Sequence, residues 1–237
     1  MLIKNKWFIG ILLFLLADGI LCLYVFGRSL WHPVYIKISG GQSTAEVVAA
    51  VQKSRPGALP KDITTFEALT LIGLKEERTL EVWGHQAGQP PRWIATYPFT
   101  GYSGKLGPKL REGDRQIPEG LYQIEYLNPN SSYHLSMKVN YPNAFDRQKG
   151  ESDGREQLGY DIFIHGKSAT IGCIPIGDPA IEELFAMVAK IGPNHTRVIL
   201  APYDMRVHDR KLVIPDVEWE QELYQLIDEA LEVFVRK

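Results

Sequence analysis

The sequence predicts a mainly β domain with flanking helices, and three observations carry that expectation. From residue 79 onward, short runs of β-branched and aromatic residues recur between Gly and Pro, the texture of a mostly antiparallel sheet. One amphipathic helical pattern follows Asp178, and a second apolar stripe closes the chain. Ahead of all this, residues 7–26 form an apolar run whose only charge is Asp18.

That run is the first element. Lys4 and Lys6 precede it and only Arg28 follows soon after. Twenty helical residues rise about 30 Å at about 1.5 Å each, matching the thickness of a bilayer core. Residues 1–28 are therefore expected to be an N-terminal membrane anchor, with the lysines inside and the remaining chain outside the cytoplasm. A cleaved signal peptide is the competing reading, although no small-x-small site stands near Phe26 and Leu21 before Cys22 is too large for the usual lipobox. A buried helix of a soluble protein is the third.

Residues 29–77 read as a tether and short helical segment. A short strand fits 34–38, and Ser43 with Glu46 fits a capping box opening a helix through Lys53. Pro56, Gly57 and Pro60 then break the pattern. Strands are expected at 79–83, 93–97, 122–126, 133–139, 161–164 and 198–201. Asp178 suits an N-cap and Pro179 the first helical position. Ile181, Leu184, Phe185 and Val188 make one apolar face, and Gly192 fits the stop. A last helix begins near Asp216, with Trp219, Leu223, Leu226, Ile227 and Phe234 as a core-facing stripe. The net charge is −2 with no basic run, which argues against nucleic acid as a partner.

The chain has two cysteines. Cys22 lies in the apolar run, so Cys173 stands alone in the part expected outside the cytoplasm. An unpaired thiol there signals reactivity or intermolecular pairing, and an inert core cysteine is the competing reading. His165 and Gly166 end an expected strand, and a short loop leads to Gly172 and Cys173. The thiolate is the nucleophile, so a catalytic Cys needs a base nearby. His165 supplies one if the loop folds back, with an activated thiolate titrating below the free thiol's value of about 8.5. Backbone N–H groups near Cys173 would then face an oxyanion. A turn holding a core Cys fits the same residues. A zinc site using His165, Cys173, His134 and His195 lacks any closely spaced ligand pair, so no metal or other cofactor is expected. A Ser-His-Asp site lacks its G-x-S-x-G elbow.

The segment IHGKSATIGC around these residues resembles the catalytic segment of YkuD-type L,D-transpeptidases, and most closely the YafK-like branch of that family. Residues 107–124, with P-E-G-x-Y at 118–122, resemble the family's loop. Residues 131–147, SSYHLSMKVNYPNAFDR, resemble the stretch that marks the branch. The three ordered blocks cover residues 78–202, which leaves residues 203–237 as a C-terminal helical extension. The resemblance implies a YkuD-like β-sandwich preceded by the N-terminal transmembrane helix, and a cysteine acyl-enzyme. Carried over by position, Cys173 is the nucleophile and His165 the proton donor and acceptor. The Gly166 carbonyl orients the imidazole, and the N–H groups of Gly172 and Cys173 face the oxyanion.

The implied substrates are diaminopimelate-containing peptide stems of peptidoglycan, and the implied location is the inner membrane with the catalytic domain in the periplasm. A thioester forms on Cys173, terminal D-Ala leaves, and an amine or water resolves the thioester. Thr170-Ile171-Gly172-Cys173 departs from the family's S/T-H-G-C, and Pro175 stands where a basic residue is common. The branch also contains enzymes that hydrolyse the link between peptidoglycan and a bound lipoprotein, so release of a wall-linked lipoprotein is the alternative reaction. A non-catalytic wall-binding module is the reading from another class. Candidates for holding a stem peptide are His134, Tyr133, Tyr141 and Asn143, with Arg111 and Arg115 reaching substrate carboxylates.

Overall fold

A computed structural model of the protein describes residues 7, 11–16, 18–20, 28–208 and 210–235. They fall into two units, residues 1–41 and 42–237. In the first unit, helix α1 spans Arg28–Ser39 with Pro33 inside it. The strand expected at 34–38 is therefore a helix. A solitary strand leaves its N–H and C=O groups without a ladder, whereas a helix pairs them internally. The anchor expected over residues 1–28 lies largely outside the described residues. Among the described residues no helix is long and apolar enough to cross a membrane.

The second unit opens on helix α2, Thr44–Ser54. The expected capping box is present: Glu46 N–H donates to Ser43 Oγ at 3.2 Å, and Ser43 N–H donates to Glu46 Oε2 at 2.7 Å. Eight strands follow: β1 (Ala68–Leu74), β2 (Thr79–His85), β3 (Arg92–Pro98), β4 (Gly120–Ser131), β5 (His134–Val139), β6 (Phe163–His165), β7 (Ile174–Pro175) and β8 (Thr196–Ala201). They form one sheet in the order β3-β2-β1-β8-β4-β5-β6-β7. β1 with β8 and β6 with β7 are parallel, and the other pairs are antiparallel. Strand β4 is the link between the halves, pairing β8 through residues 120–123 and β5 from Ile124 onward. What the sequence reads as a sandwich is thus one curled sheet with helices packed on it.

β1 lies inside the stretch read as tether, and it sits mid-sheet. Its Leu69 and Leu71 join a large core with α2 and with helix α4, Asp178–Ile191, while Ile72 and Leu74 face a second cluster. That second cluster contains Trp83, Ile199 and the apolar face of helix α5, Glu220–Leu231. Of the predicted stripe, Leu223, Ile227 and Phe234 are buried and Leu226 is exposed. On α4, Ile181, Leu184, Phe185 and Val188 are all fully buried, each contributing roughly 1.5–3 kcal/mol of apolar burial.

Asp178 does not cap α4. Gly177 holds the cap position at φ 80°, and the Asp178 carboxylate turns to the loop after β6. One further helix, α3 (Ala144–Ser152), is capped by Asn143, whose Oδ1 accepts from Asp146 N–H at 3.0 Å.

Candidate active site

Alternation along the three strands at one end of the sheet decides which residues meet. Met137, Ile164 and Ile174 lie side by side on β5, β6 and β7 and are buried in the large core. Successive strand residues point to opposite faces. Ser136, Lys138, Phe163, His165 and Pro175 therefore share the other face, and continuing the β6–β7 register by one residue adds Cys173 beside Phe163. Two rows result, Ser136–His165–Pro175 and Lys138–Phe163–Cys173. Cys173 and His165 are diagonal neighbours on one face, a spacing of about 7–8 Å between side-chain origins.

The chain between them turns back on itself. Thr100 Oγ1 donates to the Lys167 carbonyl at 2.5 Å, while Lys167 N–H and Nζ donate to the Asp178 carboxylate at 2.8 and 2.6 Å. The Ile176 N–H then reaches the His165 carbonyl at 2.9 Å. Gly166 passes so close to α4 that a Cβ on it would lie 2.6 Å from Asp178 Oδ1. Gly172 takes φ 133°, a left-handed conformation in which its missing side chain leaves room for the Gln116 carbonyl. That contact seats the loop before β4 against the candidate nucleophile.

His165 is 2% exposed, and its Nδ1 lies 2.5 Å from the Gly166 carbonyl. A carbonyl only accepts, so Nδ1 carries the proton and Nε2 the lone pair. The Tyr133 ring packs against the imidazole, with centroids 4.6 Å apart. Burial holds the His165 pKa below the usual value, partly offset by the Gly166 carbonyl. The resting imidazole is neutral, as a base must be.

The half-buried Cys173 thiol donates to the Asp161 carbonyl at 3.4 Å. Burial pushes the thiol up, and the Phe163 N–H and the Lys138 ammonium pull it back. Burial thus acts on the Cys173 thiol in the direction opposite to that of an activated thiolate. Thr170 Oγ1 donates to the Cys173 carbonyl at 2.7 Å and accepts from Gly172 N–H at 3.2 Å. The Gly172 N–H is therefore not a free oxyanion donor in this structure.

The other candidates divide. Tyr133 belongs to the site through its contact with His165. His134 sits beside Gly166, but its Nε2 pairs with Glu182 Oε1 of α4 at 2.6 Å, and Glu182 also takes Arg55. Tyr141 is buried, its hydroxyl donating to the Leu158 carbonyl at 2.9 Å, and Asn143 is occupied as the α3 cap. Both are framework residues. Arg111 and Arg115 are exposed on the loop that Gln116 presses against Gly172. That loop is tightened by Asp114, which accepts from Leu110, Arg111 and Gln116 N–H groups and from Lys109 Nζ. Among the described residues no group of three His, Cys, Asp or Glu side chains could hold a metal ion.

Sequence reasoning passed over Lys138, Asp161 and Thr170. Lys138 was within reach of it, since Met137 and Val139 are apolar and the residue between them must face away from the core. It also passed over the buried knot behind the loop. Lys75 and Glu119, both fully inaccessible, lie 2.8 Å apart. Lys75 Nζ also donates to the carbonyls of Gly107 and Ile117, and the Tyr224 hydroxyl of α5 donates to Glu119 Oε2 at 2.8 Å.

A curled β sheet with a His–Cys pair at the end of adjacent parallel strands is the arrangement found here, and residues 72–200 match the model of the L,D-transpeptidase catalytic domain, YkuD. The chain belongs to that family. Over 136 residues it is 35% identical to the Escherichia coli (strain K12) protein named "Putative L,D-transpeptidase YafK", covering 55% of this chain and 52% of that one. The chain thus spans about half the length of the curated relatives it matches. Among solved structures it is similar to the helical cell shape determining protein Pgp2 from Campylobacter jejuni. That match has a TM-score of 0.48 and 19% identity, over 79% of this chain and 62% of that one. It is also similar to Bdellovibrio bacteriovorus Bd1075, with a TM-score of 0.43 and 21% identity, over 70% of this chain and 55% of that one.

Proposed function

We propose that the protein performs cysteine-dependent acyl transfer on peptidoglycan stem peptides. Cys173 is the nucleophile and His165 the base. The observation that carries this reading is their nearness in the β6–β7 register, Cys173 directly preceding β7, with the imidazole held by the Gly166 carbonyl at Nδ1 so that the lone pair is on Nε2. His165 takes that proton as sulfur attacks the carbonyl of diaminopimelate before the terminal D-Ala. The proton passes to the departing D-Ala amine, leaving a thioester. An acceptor amine or a water molecule attacks the thioester and gives a proton to His165, which returns it to sulfur.

Arg111 and Arg115 are suited to steer stem carboxylates, because their guanidinium groups stand exposed on the loop beside Gly172. The apolar run at 7–26, with Lys4 and Lys6 ahead of it, supports an anchor in the inner membrane and a periplasmic catalytic unit. The full chain should then pellet with membranes and resist a carbonate wash. Recovery in the soluble fraction overturns the anchor.

Purified sacculi treated with wild-type and Cys173→Ala protein, followed by mass spectrometry of the muropeptides, test the chemistry. The wild type should yield new crosslinks if an amine resolves the thioester, and shortened stems or freed lipoprotein if water does. Cys173→Ala should yield neither while keeping its circular dichroism. Full turnover by that variant removes Cys173 from the reaction.

A further inference from the structure

We infer that Lys138 is a positioning residue that sets the charge state of Cys173, its buried ammonium favouring the thiolate form, with Asp161 acting as the counter-charge that moderates it. The inference rests on the reading of Cys173 as nucleophile but is tested without turnover.

Lys138 is an unusual occupant of its position. It is 7% exposed on a strand whose neighbours Met137 and Val139 are fully buried in the core. A lysine is rarely buried without a partner that repays its desolvation. The partner visible here is slight. Nζ lies 3.0 Å from Asp161 Oδ1, and the Asp161 side chain is 63% exposed. An ammonium has three N–H donors, and this one makes a single hydrogen bond among the described residues.

Its remaining surroundings point to sulfur. The Lys138 ammonium lies 5.0 Å from the centroid of the Phe163 ring, and Phe163 is the residue between Lys138 and Cys173 in their cross-strand row. The same Asp161 whose carboxylate holds the ammonium offers its backbone carbonyl to the Cys173 thiol. Asp161 sits at φ 61°, a turn that lets one residue face both groups. The charged and titratable groups around the sulfur are therefore Lys138 from β5, Asp161 ahead of β6, His165 within β6, and Lys109 from the loop before β4. His165 is neutral at rest, and Lys109 is already engaged by Asp114 at 2.6 Å. Lys138 is left as the cation best placed to answer a negative sulfur. When Cys173 loses its proton, the ammonium has two unused donors and a competing carboxylate in water that can release it.

The test is the pH dependence of Cys173 alkylation by iodoacetamide, in which the thiolate displaces iodide, measured on the wild type, Lys138→Met, Lys138→Arg and Asp161→Asn. An opposite charge about two strand spacings away across a largely buried face shifts a titration by about one unit. Lys138→Met should therefore alkylate about tenfold more slowly than wild type below the midpoint, with the midpoint moved to higher pH. Lys138→Arg should restore most of the rate. Asp161→Asn should move the midpoint the opposite way, to lower pH, and an exposed Asn tolerates its left-handed backbone.

Opposite shifts from the two neutralising substitutions support the inference, because a loosened site would move both in one direction. An unmoved midpoint in Lys138→Met, or shifts of the same sign, overturns it. Should Lys138→Met fail to fold by circular dichroism, Lys138→Gln, which keeps a polar end without the charge, is read in its place and must move the midpoint to higher pH. Loss of turnover in Cys173→Ala with no Lys138 effect on alkylation leaves acyl transfer standing and removes only this inference.

Discussion

The two halves of the sheet are covered differently. Around β1 and β8 both faces are buried, Leu71 and Leu200 under α2 and α4, Ile72 and Ile199 under α5. At β5, β6 and β7 one face enters the core through Met137, Ile164 and Ile174, and the other carries Ser136, Lys138, His165 and Cys173. A charge on a strand buried on both faces must have a partner to offset its desolvation, as Lys75 beside the end of β1 has in Glu119. The singly covered half is where this fold can hold a base, a thiol and an ammonium together. The doubly covered half supplies the stability that holds them still.

Disabling each half in turn should have opposite signatures. In the singly covered half, His165→Ala should cut turnover on muropeptides by roughly 10²- to 10⁴-fold while the domain stays folded by circular dichroism; activity near wild type would remove the base assignment. The same residue has a pH signature. Its folded pKa lies below the usual imidazole value because of burial. Between the usual value of about 6.5 and that lower value, the unfolded chain therefore binds the extra proton. Stability should fall as pH drops below about 6.5, and urea unfolding of His165→Ala should lack that component of the slope.

In the doubly covered half, Glu119→Gln leaves Lys75 buried without its countercharge. Urea denaturation should register a loss of about 3–5 kcal/mol, the cost of breaking a buried pair. Part is recoverable at high pH, because burial already holds the Lys75 pKa down and Glu119 works against that. A loss under 1 kcal/mol would mean that water or a rearranged loop replaces the carboxylate.

Most of the sheet could be read from the chain. β2 to β6 and β8 announce themselves by β-branched and aromatic runs between turn residues, and the His165–Cys173 return is marked by glycines that the backbone needs. What failed did so for physical reasons. β1 is apolar on both faces, so it shows no alternation. It also follows a proline-broken stretch that looks like linker. β7 is two residues long, too short for any periodic signal. The α1 segment carries strand-favouring residues, and only the lack of a partner strand decides against them. Asp178 has the composition of an N-cap, but its carboxylate satisfies Lys167 instead, a contact that depends on the fold. The family match compensated for part of this, beginning at residue 72 inside β1.

The helix at the far end has a consequence for anyone handling this protein. The match to the family model ends at residue 200, yet Ile72, Leu74 and Trp83 are roofed by Leu223, Ile227, Leu231 and Phe234, and Tyr224 latches the loop knot through Glu119. Trimming the gene at the last strand would strip an oily slab bare and unhook the loop beside the thiol. The piece that can be recognised and the piece that can be purified end at different codons.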